Sequence, residues 1–458
     1  MARIPRPRTA VLGTAAAVLL VAGGLLWRTH GGPNASGATA IATAPPPPPP
    51  PPPLHWPAEP LHQLLAAVEA YRDEGLHPAD YKRDALAAAI AAGRDDPATD
   101  ALATGAAHAL ALDYADGHVR HRSRLDWHVV HAAPATLDAD LAAAVKADTL
   151  GAYLQGLLPH DPRYLALKAA LHATDHGDGD DGEDGDADAD ARRVHIRASM
   201  ERWRWMPRDL GTDYVWVNVP TYRLALIHGD DVVASHVVVV GAPKTPTPML
   251  SANIGSIIVN PWWTLPPTVL REGAGKHYAA ARGFTYVTIG GKPYVRQKPG
   301  PDNALGRMKI DMPNPYAIYL HDTPAKWGFA KAERALSHGC IRVQGIATLA
   351  GELTQPDTIS DAMADLTTHT LPIQKTVPVY IVYFTAAPDA DGDVVTYGDP
   401  YDRDAELIAA LDHDKSYKRP DSAAAVKRSS LTPKRESTTN GAAPEPERAE
   451  DPGTNATY

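Results

Sequence analysis

At 458 residues the chain has room for two or three domains, and its net charge of −10 offers no basic face of the kind that nucleic acid selects. A single cysteine excludes an intramolecular disulfide, so the fold must be held by packing and polar contacts.

The chain opens MARIPRPRTAVLGTAAAVLLVAGGLLWRTHGG, in which Arg3, Arg6 and Arg8 precede an apolar run from Ala10 to Trp27. This is the pattern of an export signal over residues 1–30, either cleaved or retained as a signal anchor. Residues 31–54 read as a proline-rich linker, because the unbroken tract Pro45 to Pro53 favours an extended polyproline II spacer. Residues 55–173 read as a helical domain. Leu61, Leu64, Leu65, Val68 and Tyr71 recur at helical spacing, an alanine-rich helix follows GLHPADY, and two more helices are broken at Pro159 and Pro162. His118, His121, His128 and His131 lack an HExxH motif or a cysteine partner and read as surface histidines, with no metal expected.

Residues 174–192 contain DHGDGDDGEDGDADADA, nine carboxylates with no side chain larger than alanine among the apolar ones, and predict a disordered acidic linker. From Arg193 the pattern turns to β. DYVWVNVP alternates, YRLALIHGDDVVASHVVVVG predicts a hairpin turning at Gly229-Asp230, and ANIGSIIVNP, PYAIYLH and VPVYIVYFTA predict further strands. Helices are expected around 324–336 and 344–354, and DADGD at 389–393 reads as a hairpin turn. The β domain runs to about residue 412, and 413–458 is polar and unpatterned, a predicted disordered tail. The fold class is therefore α+β: a helical N-terminal domain and a mostly β domain carrying short helices.

The only cysteine lies in YLHDTPAKWGFAKAERALSHGCIRV. An exported lone thiol is an inert core side chain, an intermolecular linker or a reactive nucleophile. Its neighbours favour the nucleophile. Gly339 permits a tight turn, the helix predicted after Cys340 places a positive dipole end near the sulfur, and His321 and His338 are both candidate bases. The Gly339 and Cys340 N–H groups are candidate donors to an oxyanion.

The segment HDTPAKWGFAKAERALSHGCIR resembles the active-site signature of the L,D-transpeptidases: a histidine, fifteen residues to Ser337, then Ser-His-Gly-Cys and an arginine. ERWRWMP, VGAPKTPTP, NPWWTLPP, RQKPGPDNALGRMK and PVYIVYFTA also resemble blocks of the large Gram-negative members, and the region around GLHPADY resembles their helical scaffold domain. A peptidoglycan-binding module usual in those members has no counterpart here. The resemblance implies Cys340 as nucleophile and His321 as its base. Tyr319 would stand near the oxyanion, and Ser337, His338, Gly339 and Arg342 would line the substrate site, with Arg342 alternatively a structural ion-pair partner. Trp262, Trp263 and Trp327 are candidates for the cleft wall or for the core.

It further implies a periplasmic enzyme without cofactors, acting on peptidoglycan stem peptides beside other cell-wall synthesis proteins and held at the membrane only by its N-terminal segment. The reaction would expel a terminal D-alanine and make a 3→3 cross-link through a thioester. Hydrolysis of the same thioester (an L,D-carboxypeptidase or endopeptidase) and a non-catalytic wall scaffold are the alternatives.

Overall fold

The computed structural model describes residues 53–176, 183–266, 269–270, 280–373 and 375–413. The apolar N-terminal run, most of the proline tract and the tail beyond residue 413 lie outside them, as do residues 177–182 of the acidic segment. No helix among the described residues is long and apolar enough to cross a membrane.

The N-terminal part is helical: α1 (Ala58–Glu69), α2 (Arg83–Ala91), α3 (Pro97–Asp116), α4 (Leu137–Lys146), α5 (Leu150–Leu157), α6 (Pro162–His176) and α7 (Glu183–Arg204). Leu61, Leu64 and Val68 bury the expected stripe of α1. Asp96 starts α3 by accepting from the Thr99 N–H at 2.8 Å, with Pro97 in the first turn, where its missing N–H costs nothing. The segment expected to break only at Pro159 and Pro162 also breaks between α4 and α5, where Asp148 takes a left-handed φ of 54°.

The described ends of the acidic segment, residues 174–176 and 183–192, are helical rather than unstructured. Residues 174–176 end α6, and Glu183 onward begins α7. Asp188 and Asp190 lie within the N-terminal half of that helix, the end at which the macrodipole favours negative charge. The other end of α7 is anchored by buried Ile196, Ser199, Met200 and Trp203. A domain boundary at 193 therefore falls inside a helix. The histidine expectation also changes: His121 is exposed, but His118, His128 and His131 are half-buried and hydrogen-bonded to Asp113, Asp126 and the Ala115 carbonyl.

The β part comprises β1 (Trp127–His128), β2 (Asp213–Asn218), β3 (Arg223–His228), β4 (Asp231–Gly241), β5 (Met249–Asn253), β6 (Ser256–Val259), β7 (Trp263–Thr264), β8 (Phe284–Ile289), β9 (Lys292–Gln297), β10 (Met308–Asp311), β11 (Leu320–His321), β12 (Ala335–Ser337), β13 (Ile341–Val343), β14 (His369–Pro372), β15 (Pro378–Val382), β16 (Ala386–Pro388) and β17 (Val394–Thr396). The main sheet runs β1-β5-β15-β2-β3-β4-β13-β11-β10-β6-β14, with β12 also on β4. The β3–β4 hairpin turns at Gly229-Asp230, and the β16–β17 hairpin turns over 389–393, both where the sequence places them. Strand β4 is long enough to pair with β3 along its first part and with β13 and β12 along its last. Helices α8 (Ile346–Leu353), α9 (Pro356–Ala362) and α10 (Asp404–Leu411) complete the fold.

The two parts share structure. β1 comes from the helical region yet pairs in parallel with β5. The end of α7 packs Trp203 against Trp216 and Phe384, and Trp205 against Trp127. Arg204 is buried with Glu201 at 3.1 Å and Glu74 at 3.4 Å, while Tyr164 and Lys168 also bond Glu74. Replacing Arg204 by Met should lower stability by about 3–5 kcal/mol, because Glu201 stays buried without its cation and Glu74 keeps only Lys168. Urea unfolding followed by circular dichroism checks this; a loss below 1 kcal/mol would contradict it.

Candidate active site

Strand β11 pairs in parallel with β13, Leu320 opposite Ile341 and His321 opposite Arg342. The Ile341 N–H donates to the Tyr319 carbonyl at 3.1 Å, so Tyr319 stands abreast of Cys340. Side chains alternate along a strand, so one face carries Tyr319, His321, Cys340 and Arg342, and the other sends Leu320, Ile341 and Val343 into the core. On the other side of β11, Lys309 of β10 pairs with His321 and joins the same face.

His321 is buried, and its Nδ1 is hydrogen-bonded to the Asp322 carbonyl oxygen. A carbonyl only accepts, so Nδ1 carries the proton and Nε2 keeps the lone pair. Asp322 is itself fixed: its N–H donates to Met308 O at 2.8 Å and its carboxylate accepts from Arg307 N at 3.0 Å. Gly306 packs so closely on that carboxylate that any Cβ there would collide with it. Burial drives the His321 pKa down to about 3; the Asp322 carbonyl opposes this and Arg342 adds to it.

The turn bearing Cys340 is clamped from below. Gly339 adopts a φ of 114°, open to glycine and strained for other residues. Ser337 Oγ donates to the Cys340 carbonyl at 2.6 Å and accepts from the Gly339 N–H at 3.1 Å. Thr247 is buried; its Oγ1 donates to the Gly339 carbonyl at 2.7 Å and accepts from the Gly241 N–H at 2.8 Å. Thr245 Oγ1 reaches the Ser337 carbonyl at 3.0 Å, and the Tyr401 hydroxyl reaches the Gly241 carbonyl at 2.7 Å. At Gly241 a Cβ would lie 2.2 Å from the Thr245 carbonyl oxygen, so only glycine fits. The GAPKTPTP loop thus buttresses the cysteine turn.

Burial pushes the Cys340 thiol up. The Tyr319 N–H and hydroxyl, Lys309 and Arg342 pull the other way without overcoming it. The sulfur lies 3.6 Å from the Ala317 carbonyl, and the Tyr319 hydroxyl hydrogen-bonds to it while accepting from Trp263. Lys309 Nζ stands 4.3 Å from the centre of the Tyr319 ring and 2.8 Å from Asp311. Resting Cys340 and His321 are therefore both neutral.

Several expectations change here. The helix expected around 344–354 forms as α8 from Ile346, but β13 lies between it and Cys340, so its dipole does not act on the thiol at first-turn range. The helix expected over 324–336 is a 3-10 turn, Lys326–Ala330, followed by extended β12. The PYAIYLH strand shrinks to Leu320–His321, because the Asn314 side chain ties Ile318 and Tyr316 into a loop and Ala317 takes a φ of 53°. The Gly339 N–H, already bonded to Ser337, leaves Cys340 N–H alone of the proposed oxyanion pair. His338 is exposed on the turn. Trp327 is exposed, and Trp262 stacks under Arg296 and lines a cleft of about 720 Å³ with Gln297 and Asn303, which neither Cys340 nor His321 lines.

Residues 212–381 match the model of the L,D-transpeptidase catalytic domain, and residues 55–171 match that of the Scaffold domain. Residues 212–381 belong to the L,D-transpeptidase family. A curated Haemophilus influenzae protein, whose own L,D-transpeptidase assignment is provisional, is 31% identical over 227 residues, 43% of this chain and 45% of that protein's length. The match spans less than half of the relative. Among solved structures, the Enterococcus faecium L,D-transpeptidase catalytic domain acylated by ertapenem is 16% identical, covering 38% of this chain and 99% of that one at a TM-score of 0.19. Mycobacterium tuberculosis L,D-transpeptidase 1 is 12% identical, covering 37% and 61% at a TM-score of 0.18.

Within this L,D-transpeptidase domain the structure brings Cys340, His321, Tyr319 and Arg342 to one face and makes Ser337 and Gly339 builders of the turn. Reading the sequence did not single out Lys309, Thr247, Tyr401 or Asp322. Lys309 had a signal, a lone cation at an alternating position of MKID; Thr247 and Tyr401 had none, since their partners are distant in sequence.

Alkylation of the single thiol by iodoacetamide should show one ionisation, above the ordinary thiol value near 9, and no inflection between pH 5 and 8. The sign follows from burial: the thiolate is disfavoured, and His321, neutral down to about pH 3, does not titrate in that window. A step near pH 6.5 lost in His321→Ala would overturn this electrostatic picture.

Proposed function

We propose that this chain joins peptidoglycan stem peptides through 3→3 cross-links, with Cys340 carrying the acyl group as a thioester. One observation supports this most: Tyr319, His321 and Cys340 share a sheet face, with His321 in the tautomer whose Nε2 can take a proton.

Cys340 Sγ attacks the carbonyl carbon of the third residue of a donor stem, a diamino acid such as meso-diaminopimelate, and its proton passes to His321 Nε2. The carbonyl electron pair moves to oxygen, next to the Cys340 N–H and the Tyr319 hydroxyl. Collapse breaks the amide C–N bond, and the departing D-alanine amine takes the proton from His321. The side-chain amine of a second stem then attacks the thioester, passes a proton to His321, and the thiolate leaves and is reprotonated. One amide is broken and one is formed, so no nucleotide is consumed. Lys309 and Arg342 suit the carboxylates of such a donor. Water in place of the amine gives the L,D-carboxypeptidase or endopeptidase reaction. The N-terminal segment would hold the enzyme in the periplasm, among other proteins of wall synthesis.

Muropeptide analysis with purified protein should show 3→3 dimers and free D-alanine for the wild type and neither for Cys340→Ala. Tripeptides without dimers would establish the hydrolase instead. A carbapenem, the class that acylates the Enterococcus domain, should add one drug mass to the wild type and none to Cys340→Ala. His321→Ala should slow that acylation by about 10²–10⁴-fold, the usual worth of a general base. An unchanged rate would remove His321 from this role.

A further inference from the structure

Far along the chain from the thiol, three side chains converge. Asp80 lies in the 3-10 turn Pro78–Tyr81, within the GLHPADY segment; His118 follows the end of α3; His413 follows α10. One ligand atom from each lies within 4.8 Å of the other two. His413 Nε2 is 2.8 Å from Asp80 Oδ1, and the His118 and His413 rings meet edge to face with centroids 5.1 Å apart.

We propose that Asp80, His118 and His413 form a site for a divalent transition metal, zinc being the cation that the donors suit best, which fastens the end of α10 to the scaffold region.

The donors are preset for it. His118 Nδ1 lies 2.7 Å from Asp113 Oδ2, and Asp113 is held in turn by the Tyr81 hydroxyl at 2.8 Å and by Arg120. A carboxylate on Nδ1–H leaves Nε2 as the free donor and orients the ring, the arrangement that stands behind most histidine ligands of metals. Asp80 Oδ2 is buried and has no hydrogen-bond partner among the described residues. A buried carboxylate oxygen left unmatched is costly, and the His413 contact satisfies only Oδ1. A cation between the three side chains would satisfy it.

Two imidazoles and one carboxylate select zinc over calcium or magnesium, which need more oxygen ligands, and leave a fourth position for water. Zinc bonds of about 2.0–2.2 Å place tetrahedral donors roughly 3.3–3.6 Å apart. The present separations run from 2.8 Å to at most 4.8 Å and bracket that distance. His413 is the exposed member of the three and has room to adjust. It sits at a left-handed φ of 54° just beyond α10, which turns its ring back onto the scaffold. His413, placed by the sequence at the start of the tail, is thus engaged with Asp80.

The site spans residues 80, 118 and 413, so a bound metal would tie three distant segments together and resist the release of α10. The test uses full-length, untagged, chelator-stripped protein titrated with Co²⁺ and then Zn²⁺. The expected result is one equivalent of Co²⁺ with the visible bands of tetrahedral nitrogen–oxygen ligation, displaced by Zn²⁺, and a melting temperature raised by Zn²⁺ and returned by chelator. His413→Gln, at an exposed position that leaves the fold intact, and His118→Gln should each weaken Co²⁺ affinity by about tenfold or more, with His55→Gln unchanged. Should His118→Gln fail to give a native circular dichroism spectrum, His413→Gln and Asp80→Asn decide the matter. Absence of a stoichiometric cobalt spectrum, or a spectrum unaltered in His413→Gln, would overturn the proposal and leave a hydrogen-bonded cluster only.

Discussion

Everything at the candidate site depends on one short parallel pairing, β11 against β13. Two residues of β11 set which side chains share a face, and a slip of β11 by one residue would send Leu320 outward and His321 into the core. Pairs this short do not hold register alone. Strand β10 fixes β11 from one side, β4 fixes β13 from the other, and the hydroxyls of Thr247 and Ser337 lock the turn that feeds β13. Most of that rigidity comes from backbone carbonyls and N–H groups that buried hydroxyls satisfy.

The electrostatics of the site follow from the same placement. Burial disfavours both the imidazolium and the thiolate, so the resting pair is uncharged even with Lys309 and Arg342 nearby. A neutral pair must move its proton during attack rather than store a thiolate beforehand.

Helix α7 couples the helical and β parts. Its last turns supply Arg202 to Asp404, Glu201 to the Val119 N–H, and Arg204 to Glu74, while its tryptophans pack on Trp216, Phe384 and Trp127. Asp404 opens α10 and also binds His195 and Thr385. The scaffold region, the end of the sheet and α10 are thus joined through buried ion pairs and hydrogen bonds, in which loss of one charged partner would leave the other buried and uncompensated.

Local pattern determined much of this protein: the helical and β parts, the two hairpin turns, the cysteine and the histidine fifteen residues upstream of its motif. These signals are periodicity, turn chemistry and spacing, all contained within a few residues. Composition misled for residues 183–192, which were judged without the buried face farther along α7 that anchors the helix. It misled for PYAIYLH too, where the Asn314 side chain outcompetes the ladder for the backbone. Tertiary structure alone decided that Lys309 faces His321, that Thr247 holds Gly339, that burial keeps Cys340 and His321 neutral, and that residues 80, 118 and 413 meet. Each of these depends on contacts between residues remote in sequence, and on the loss of water around them, which no local pattern encodes.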